Sequence, residues 1–200
     1  MKGSLIIVGF FVLGTLCGVF HLLPFDIAET NISYYALCAL MFSVGISVGN
    51  DPQTLKNFRA LNPRLIFLPV MTIVGTLAGV AVVSLILTHR SVTDCLAIGS
   101  GFGYYSLSSI FITEYKGAEL GTIALLANIS REILTLLAAP LLVRWFGNLA
   151  PISAGGATTM DTTLPIITRT AGQQFVVVSI FHGFVVDFSV PFLVTLFCSI

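Results

Sequence analysis

The stretch ALLANISREILTLLAAPLLV, Ala124–Val143, decides the fold. It is long enough to cross the roughly 30 Å hydrocarbon layer of a bilayer as a helix, yet Arg131 and Glu132 stand near its centre. At 100° per residue, Gly121, Ala124, Asn128, Arg131, Glu132, Thr135 and Ala139 share one small, polar face, and leucine, isoleucine and valine fill the others. On an insertion scale a central charge costs about 2.5–3.5 kcal/mol, against roughly 0.3–0.6 kcal/mol gained per Leu, Ile or Val. Two such charges cancel most of the apolar gain of the segment, so they must be matched inside a bundle.

The rest of the chain agrees with a membrane setting. Of 200 residues, 56% are hydrophobic and only 9% are charged, whereas soluble domains carry about 25% charged residues; the mean hydropathy is +1.00. The reading is an all-α polytopic membrane protein, and the continuously apolar runs argue against a barrel, whose strands alternate. Net charge is zero and there is no basic run, which speaks against nucleic acid as a partner. Cys17, Cys38, Cys95 and Cys198 show no metal-ligand spacing and read as small apolar residues. No cofactor, no metal and no enzymatic activity are expected.

Apolar windows predict about seven membrane segments, at Ser4–Leu23, Ile32–Gly49, Leu65–Leu87, Cys95–Thr113, Glu119–Val143, Ala150–Thr168 and Gln174–Cys198. The short connections leave no room for a soluble domain, so residues 1–200 read as a single transmembrane transport domain. The first run follows Lys2 but lacks a small-x-small cleavage site, and is expected to be a retained helix, not a signal peptide. Lys2, Lys56, Arg59, Arg64, Lys116 and Arg169 on one side outnumber Arg90 and Arg144 on the other, where Asp26 and Glu29 also fall. This bias sets the N-terminus in the cytoplasm and, with seven crossings, the C-terminus outside. Were Ala150–Thr168 a re-entrant hairpin, the count would be six and the C-terminus would change sides.

Two segments are poor continuous helices. AIGSGFGYYSLSSIF (Ala97–Phe111) carries Gly99, Gly101 and Gly103, followed by Ser106, Ser108 and Ser109. APISAGGATTMDTTLPIIT (Ala150–Thr168) carries Gly155, Gly156, four threonines, Asp161 and Pro165. Backbone freed by such interruptions has to face protein or a wet cavity, and paired interrupted helices point to a transporter's binding site. Close helix packing through small residues is the alternative.

Intramembrane charge names the candidate site. Asp161 lies mid-segment, as Glu132 does, so both carboxylates are expected near the bilayer midplane. Arg131 can neutralise only one of them; the other needs a proton, a metal ion or an ammonium group. A closed pair between Arg131 and Glu132 or Asp161, fixing helix register, is the structural alternative. Thr158, Thr159, Thr162 and Thr163 can offer hydroxyls to a ligand or bond the backbone freed by the break. Tyr104, Ser106 and their neighbours face the same cavity in this reading, with Asn128 on the charged face. His182 and Asp187, five residues apart, fall on different faces of the last segment, and Asp187 is expected at the interface or a helix end. Asn50 and Asp51 read as a helix-end turn.

At these residues the chain resembles the LysO-type lysine exporters of bacteria. The resemblance rests on MFSVGISVGND (Met41–Asp51), GSGFGYYSLSSI (Gly99–Ile110), ELGTIALLANISREILTLLAAPLL (Glu119–Leu142) and GGATTMDTTLPIIT (Gly155–Thr168). It implies an inner-membrane exporter of L-lysine and its analogue thialysine, driven by proton exchange, with the family's pair of essential membrane acids at Glu132 and Asp161. Family members commonly carry further membrane segments ahead of this region. The resemblance therefore also implies that this is the larger piece of a divided exporter, completed by a small membrane subunit or a second copy. Charge placement alone leaves open a sodium or other cationic-metabolite/proton antiporter, an intramembrane aspartyl protease using Asp161 and Asp187, and a non-transporting membrane subunit.

Overall fold

The computed structural model describes residues 63–87 and 89–200, together with residues 13, 14, 16–20 and 35. The chain divides into two compact units, Met1–Ile46 and Ser47–Ile200. In the first, a helical turn is closed by the Phe20 N–H donating to the Leu16 carbonyl at 3.0 Å. The segment Ile32–Gly49 and most of Ser4–Leu23 lie outside the described residues, as do Lys2, Lys56, Arg59, Asp26, Glu29, Cys38, Asn50 and Asp51.

The described residues of the second unit form helices joined by short turns, with no strand among them. Its helices are α1 (Leu68–Ser84), α2 (Val92–Gly99), α3 (Tyr105–Lys116), α4 (Ala118–Phe146), α5 (Ala150–Gly155), α6 (Leu164–Ala171) and α7 (Val176–Ser199). With their lead-in turns, α1 (Leu65–Ser84), α4 and α7 (Gln173–Ser199) are long and apolar enough to cross a membrane. They correspond to three of the predicted segments. The other two predicted segments in this unit are each a pair of short helices: α2 and α3 are separated by a turn at 100–104, and α5 and α6 by a 3-10 turn at Gly156–Met160 and residues 161–163.

Local sequence explains the ends. Ser91 caps α2 by accepting the Asp94 N–H at 3.0 Å, and Asp94 adds a negative charge to the first turn. Proline at the start of α1, α5 and α6 pre-sets the backbone where no N–H is needed. Gly117 and Gly147, at φ +91° and +87°, close α3 and α4. Lys116 closes α3 electrostatically and reaches Asp94 at 3.5 Å. Arg90 and Glu119 form a second ion pair near the surface.

Packing follows the small residues. Gly121 brings α4 against α3, because a Cβ there would run into Thr113 Oγ1 and lie 3.0 Å from the Ser109 carbonyl. The buried side of α4 is Leu120, Gly121, Ala124, Asn128, Thr135 and Ala139, nearly the face marked by the 100° rotation. Ile152, Ile167, Ala171 and Val178 form a buried apolar cluster joining α5, α6 and α7. Outward positions such as Val70, Met71, Val74, Leu126, Leu134, Leu137, Phe188 and Phe192 are exposed and apolar. Such surface is costly in water and compatible with lipid.

Candidate functional site

The turn between α2 and α3 and the one between α5 and α6 meet through main chain. The Ala157 N–H donates to the Phe102 carbonyl at 2.9 Å. Phe102 is fully buried with φ +46°, an uncommon conformation for a side-chain-bearing residue. Gly156, at φ +64°, faces it, and a Cβ at that position would collide with the Phe102 carbonyl oxygen. Gly103 faces the Gly155 carbonyl, which would lie 3.2 Å from an added Cβ. Only glycine lets two backbones approach so closely.

Helix α4 satisfies both breaks from adjacent turns. Asn128 accepts the Gly103 N–H at 2.8 Å on Oδ1, and its amide nitrogen donates to the carbonyls of Ala124 (2.9 Å) and Ile98 (3.2 Å) and contacts Ser108 Oγ at 3.4 Å. Arg131 serves the second break: Nε donates to the Ala154 carbonyl at 2.8 Å and Nη2 to that of Ser153 at 3.0 Å. These carbonyls end α5, where the helix dipole is negative and a cation is favoured. The guanidinium carbon also lies 5.8 Å from the centre of the Phe102 ring, a cation–π contact. Arg131 makes no ion pair among the described residues. This differs from the simplest expectation, in which it neutralises Glu132 or Asp161; the carbonyls freed by the break take its donors instead.

The acids lie beside this junction. Glu132 has fourteen residues of α4 on either side, is half-buried, and has no hydrogen bond among the described residues. Asp161 is exposed and accepts the Thr162 N–H at 2.5 Å, just before α6 begins. Both carboxylates act electrostatically on Tyr105, and Asp161 also acts on Tyr104. Tyr105 thus lies within electrostatic range of both acids, and no direct contact joins the two carboxylates among the described residues. Ser106 is half-buried on the first turn of α3 and Thr162 is exposed next to Asp161.

The remaining threonines are engaged with the fold. Thr158 Oγ1 donates to the Gly155 carbonyl at 3.0 Å and contacts Thr163 Oγ1 at 3.1 Å. Thr159 Oγ1 lies 2.8 Å from the Gly156 carbonyl, 2.9 Å from that of Ser179 and 3.2 Å from His182 Nδ1. His182 is fully buried, and its Nε2 reaches Thr72 Oγ1 on α1 at 2.9 Å. It ties α7 to α1 and to the break. Gly183 allows this approach, since a Cβ there would fall 2.7 Å from Met160 N.

Two features were missed by sequence reasoning. His182 is a buried connector. Asp187 sits at the middle of α7, away from both helix ends, and is only 4% exposed; Tyr104 and Asp161 are within its electrostatic range. The available signal was an acid four residues before Pro191. A groove of about 680 Å³ also runs between α1 and α4, lined by Thr72, Gly75, Thr76, Ser130, Arg131 and Ser153 among others. Neither Glu132 nor Asp161 lines it.

The family model described as "Lysine exporter LysO" matches residues 8–198, almost the whole chain. The chain belongs to the LysO lysine exporter family. It is 37% identical over 170 residues to "Lysine exporter LysO" of Escherichia coli (strain K12), covering 85% of this chain and 56% of that protein. It is 35% identical over 196 residues to "Putative lysine exporter" of Haemophilus influenzae (strain ATCC 51907 / DSM 11121 / KW20 / Rd), covering 98% of this chain and 96% of that protein. The chain thus spans a little over half the length of the first relative and nearly all of the second. No solved structure matches it. Family membership and the apolar helices together make it an integral membrane protein of a transporter family.

Proposed function

We propose that this chain exports L-lysine, and analogues such as thialysine, across the bacterial inner membrane in exchange for protons. In this reading residues 1–200 form one multi-pass transport domain of about seven segments, and the α2/α3 and α5/α6 pairs are interrupted membrane segments facing each other. A second copy or a small membrane subunit completes the transporter. The observation that carries the proposal is a charge imbalance. Glu132 and Asp161 both bear on Tyr105, while Arg131, the one cation away from the ends of the three long helices among the described residues, is bonded to carbonyls. Uncompensated negative charge at membrane depth calls for a cation.

The mechanism follows. Lysine enters from the cytoplasm, its ammonium group displacing a proton from the Glu132–Asp161 pair. N–H groups in the first turns of α3 and α6, at the positive ends of their helices, favour the substrate carboxylate. Tyr104, Ser106 and Thr162 border the site; Asn128, Arg131, Thr158 and Thr159 hold the breaks that shape it. After reorientation lysine leaves and an external proton replaces it. Lysine is a net monovalent cation, so exporting it against an inside-negative potential costs ~2.3 kcal/mol per 100 mV. One-for-one exchange with a proton removes that electrical cost.

The test is lysine-driven proton movement in proteoliposomes, comparing wild type with Glu132→Gln and Asp161→Asn. The wild type is expected to couple the two fluxes and both variants to lose coupling. Equal exchange by all three would overturn the site. Counterflow of lysine against ornithine, arginine and sodium separates a lysine exporter from other cation/proton antiporters.

A further inference from the structure

Asp187 combines burial with a lack of partners. It is only 4% exposed at the centre of the 24-residue α7, and it makes no hydrogen bond or ion pair among the described residues. No fully buried side-chain nitrogen or oxygen among those residues lacks a hydrogen-bond partner. The oxygens of Asp187 therefore keep part of the residue's small remaining exposure and are not completely sealed among packed atoms.

Pro191 adds a second acceptor at the same place. It lies inside α7, four residues after Asp187, and has no N–H to give to the Asp187 main-chain carbonyl. One residue thus offers a free carboxylate and a carbonyl deprived of its helical bond, both deep in an apolar helix. An ionised carboxylate in that position is costly unless something positive meets it.

The groups around it bring no such charge. Gly183, one turn before Asp187 on α7, packs against the main chain of Met160, the neighbour of Asp161, and so brings Asp161 within electrostatic range. Tyr104 at the start of α3 is in range as well, with Tyr105 next in the chain. On α7 itself, His182 is bonded to Thr72 and Thr159 and feels Arg131 from α4. Helices α1 and α5 carry no titratable side chain. On α2, Asp94 is paired with Lys116 of α3 and acts on Cys198, about 16 Å along α7 from Asp187 at 1.5 Å per residue. Arg169 lies in the last turn of α6.

We infer that Asp187 is a third membrane carboxylate of the transport site, which shares with Asp161 a subsite taken in turn by a proton and by a primary ammonium group. The inference rests on the exporter reading for its physiological meaning but can be tested apart from it. Two carboxylates in a site of low polarity do not both stay ionised without a cation. The pair therefore holds a proton in the absence of substrate and yields it when an ammonium group arrives.

The experiment is infrared difference spectroscopy of the whole protein in lipid, first with a pH change alone and then with lysine. Wild type is expected to show the carbonyl stretch of a protonated carboxylic acid, bleached by added lysine. Asp187→Asn should lose a component of that band and of the bleach, while Asp187→Glu keeps both at a shifted frequency. Size-exclusion behaviour of both variants checks that they fold; should the asparagine variant aggregate, the frequency shift in the glutamate variant decides. A band unchanged in both position and amplitude by either substitution overturns the inference. Failure of wild type to move lysine would sink the exporter reading, yet loss of the pH-dependent component in Asp187→Asn would still establish the proton site.

Discussion

The main-chain N–H of Ala157 is bonded to the carbonyl of Phe102 at 2.9 Å, across 55 positions of sequence. This single bond joins two regions that each have too few helical partners of their own. The flanking glycines exist to make it possible, and α4 supplies the side chains that use up the remaining groups. Four predictions test that description.

Gly156→Ala should destabilise the protein more than Gly147→Ala. Both positions have positive φ, a conformation costing roughly 1–3 kcal/mol for other residues. An added Cβ at Gly147 meets open space, whereas at Gly156 it strikes the Phe102 carbonyl. Denaturant unfolding in mixed micelles measures the difference, and equal losses would show that the backbone contact is not needed.

Asn128→Ala should lower stability by roughly 1–3 kcal/mol, since it leaves the Gly103 N–H without its acceptor in a buried place. Asn128→Asp should be no better. It keeps an acceptor for Gly103 but turns a carboxylate toward the Ala124 and Ile98 carbonyls that the amide now serves. Recovery of stability in the aspartate variant would mean that only the Gly103 bond matters.

Arg131→Lys should behave more like Arg131→Met than like wild type in transport and in stability. A planar guanidinium reaches the Ser153 and Ala154 carbonyls from two different nitrogens while lying over Phe102. An ammonium group has no such fork. Full activity in the lysine variant would reduce the role of Arg131 to charge alone.

Thr72→Val and His182→Ala should be coupled, with an interaction term of about 0.5–3 kcal/mol in a double-mutant cycle. The contact between them is 2.9 Å long and is buried on both sides. Additive losses would indicate that α1 is held to α7 by apolar packing alone.

Much of this architecture could be read from residue order. The rotation of Ala118–Phe146 identified its buried side almost residue for residue, because small and polar side chains alternate there with leucine at helical spacing. Leu65–Leu87 and Gln174–Cys198 were legible as long apolar runs. The partner of Arg131 was not legible: its acceptors are carbonyls 22 and 23 residues away, and main-chain groups leave no trace in side-chain chemistry. By sequence Thr158 and Thr159 suit a ligand and the backbone equally, and in the structure their hydroxyls meet the Gly155 and Gly156 carbonyls, groups that no side-chain pattern reveals. Asp187 was misread for another reason. Its helix is apolar all round, so nothing in the pattern says which way an isolated acid points.

Gly117 and Gly147 bracket α4 with positive φ, and a side chain at either would meet nothing within 4 Å. Asn128 and Arg131 meanwhile fasten α4 to both breaks, making these parts one mechanical block. Both glycines lie inside that block, joining α4 to the helices α3 and α5 on which the fastened turns sit. Any displacement that keeps these bonds therefore leaves the two glycine corners as they are and carries the whole assembly along as a unit.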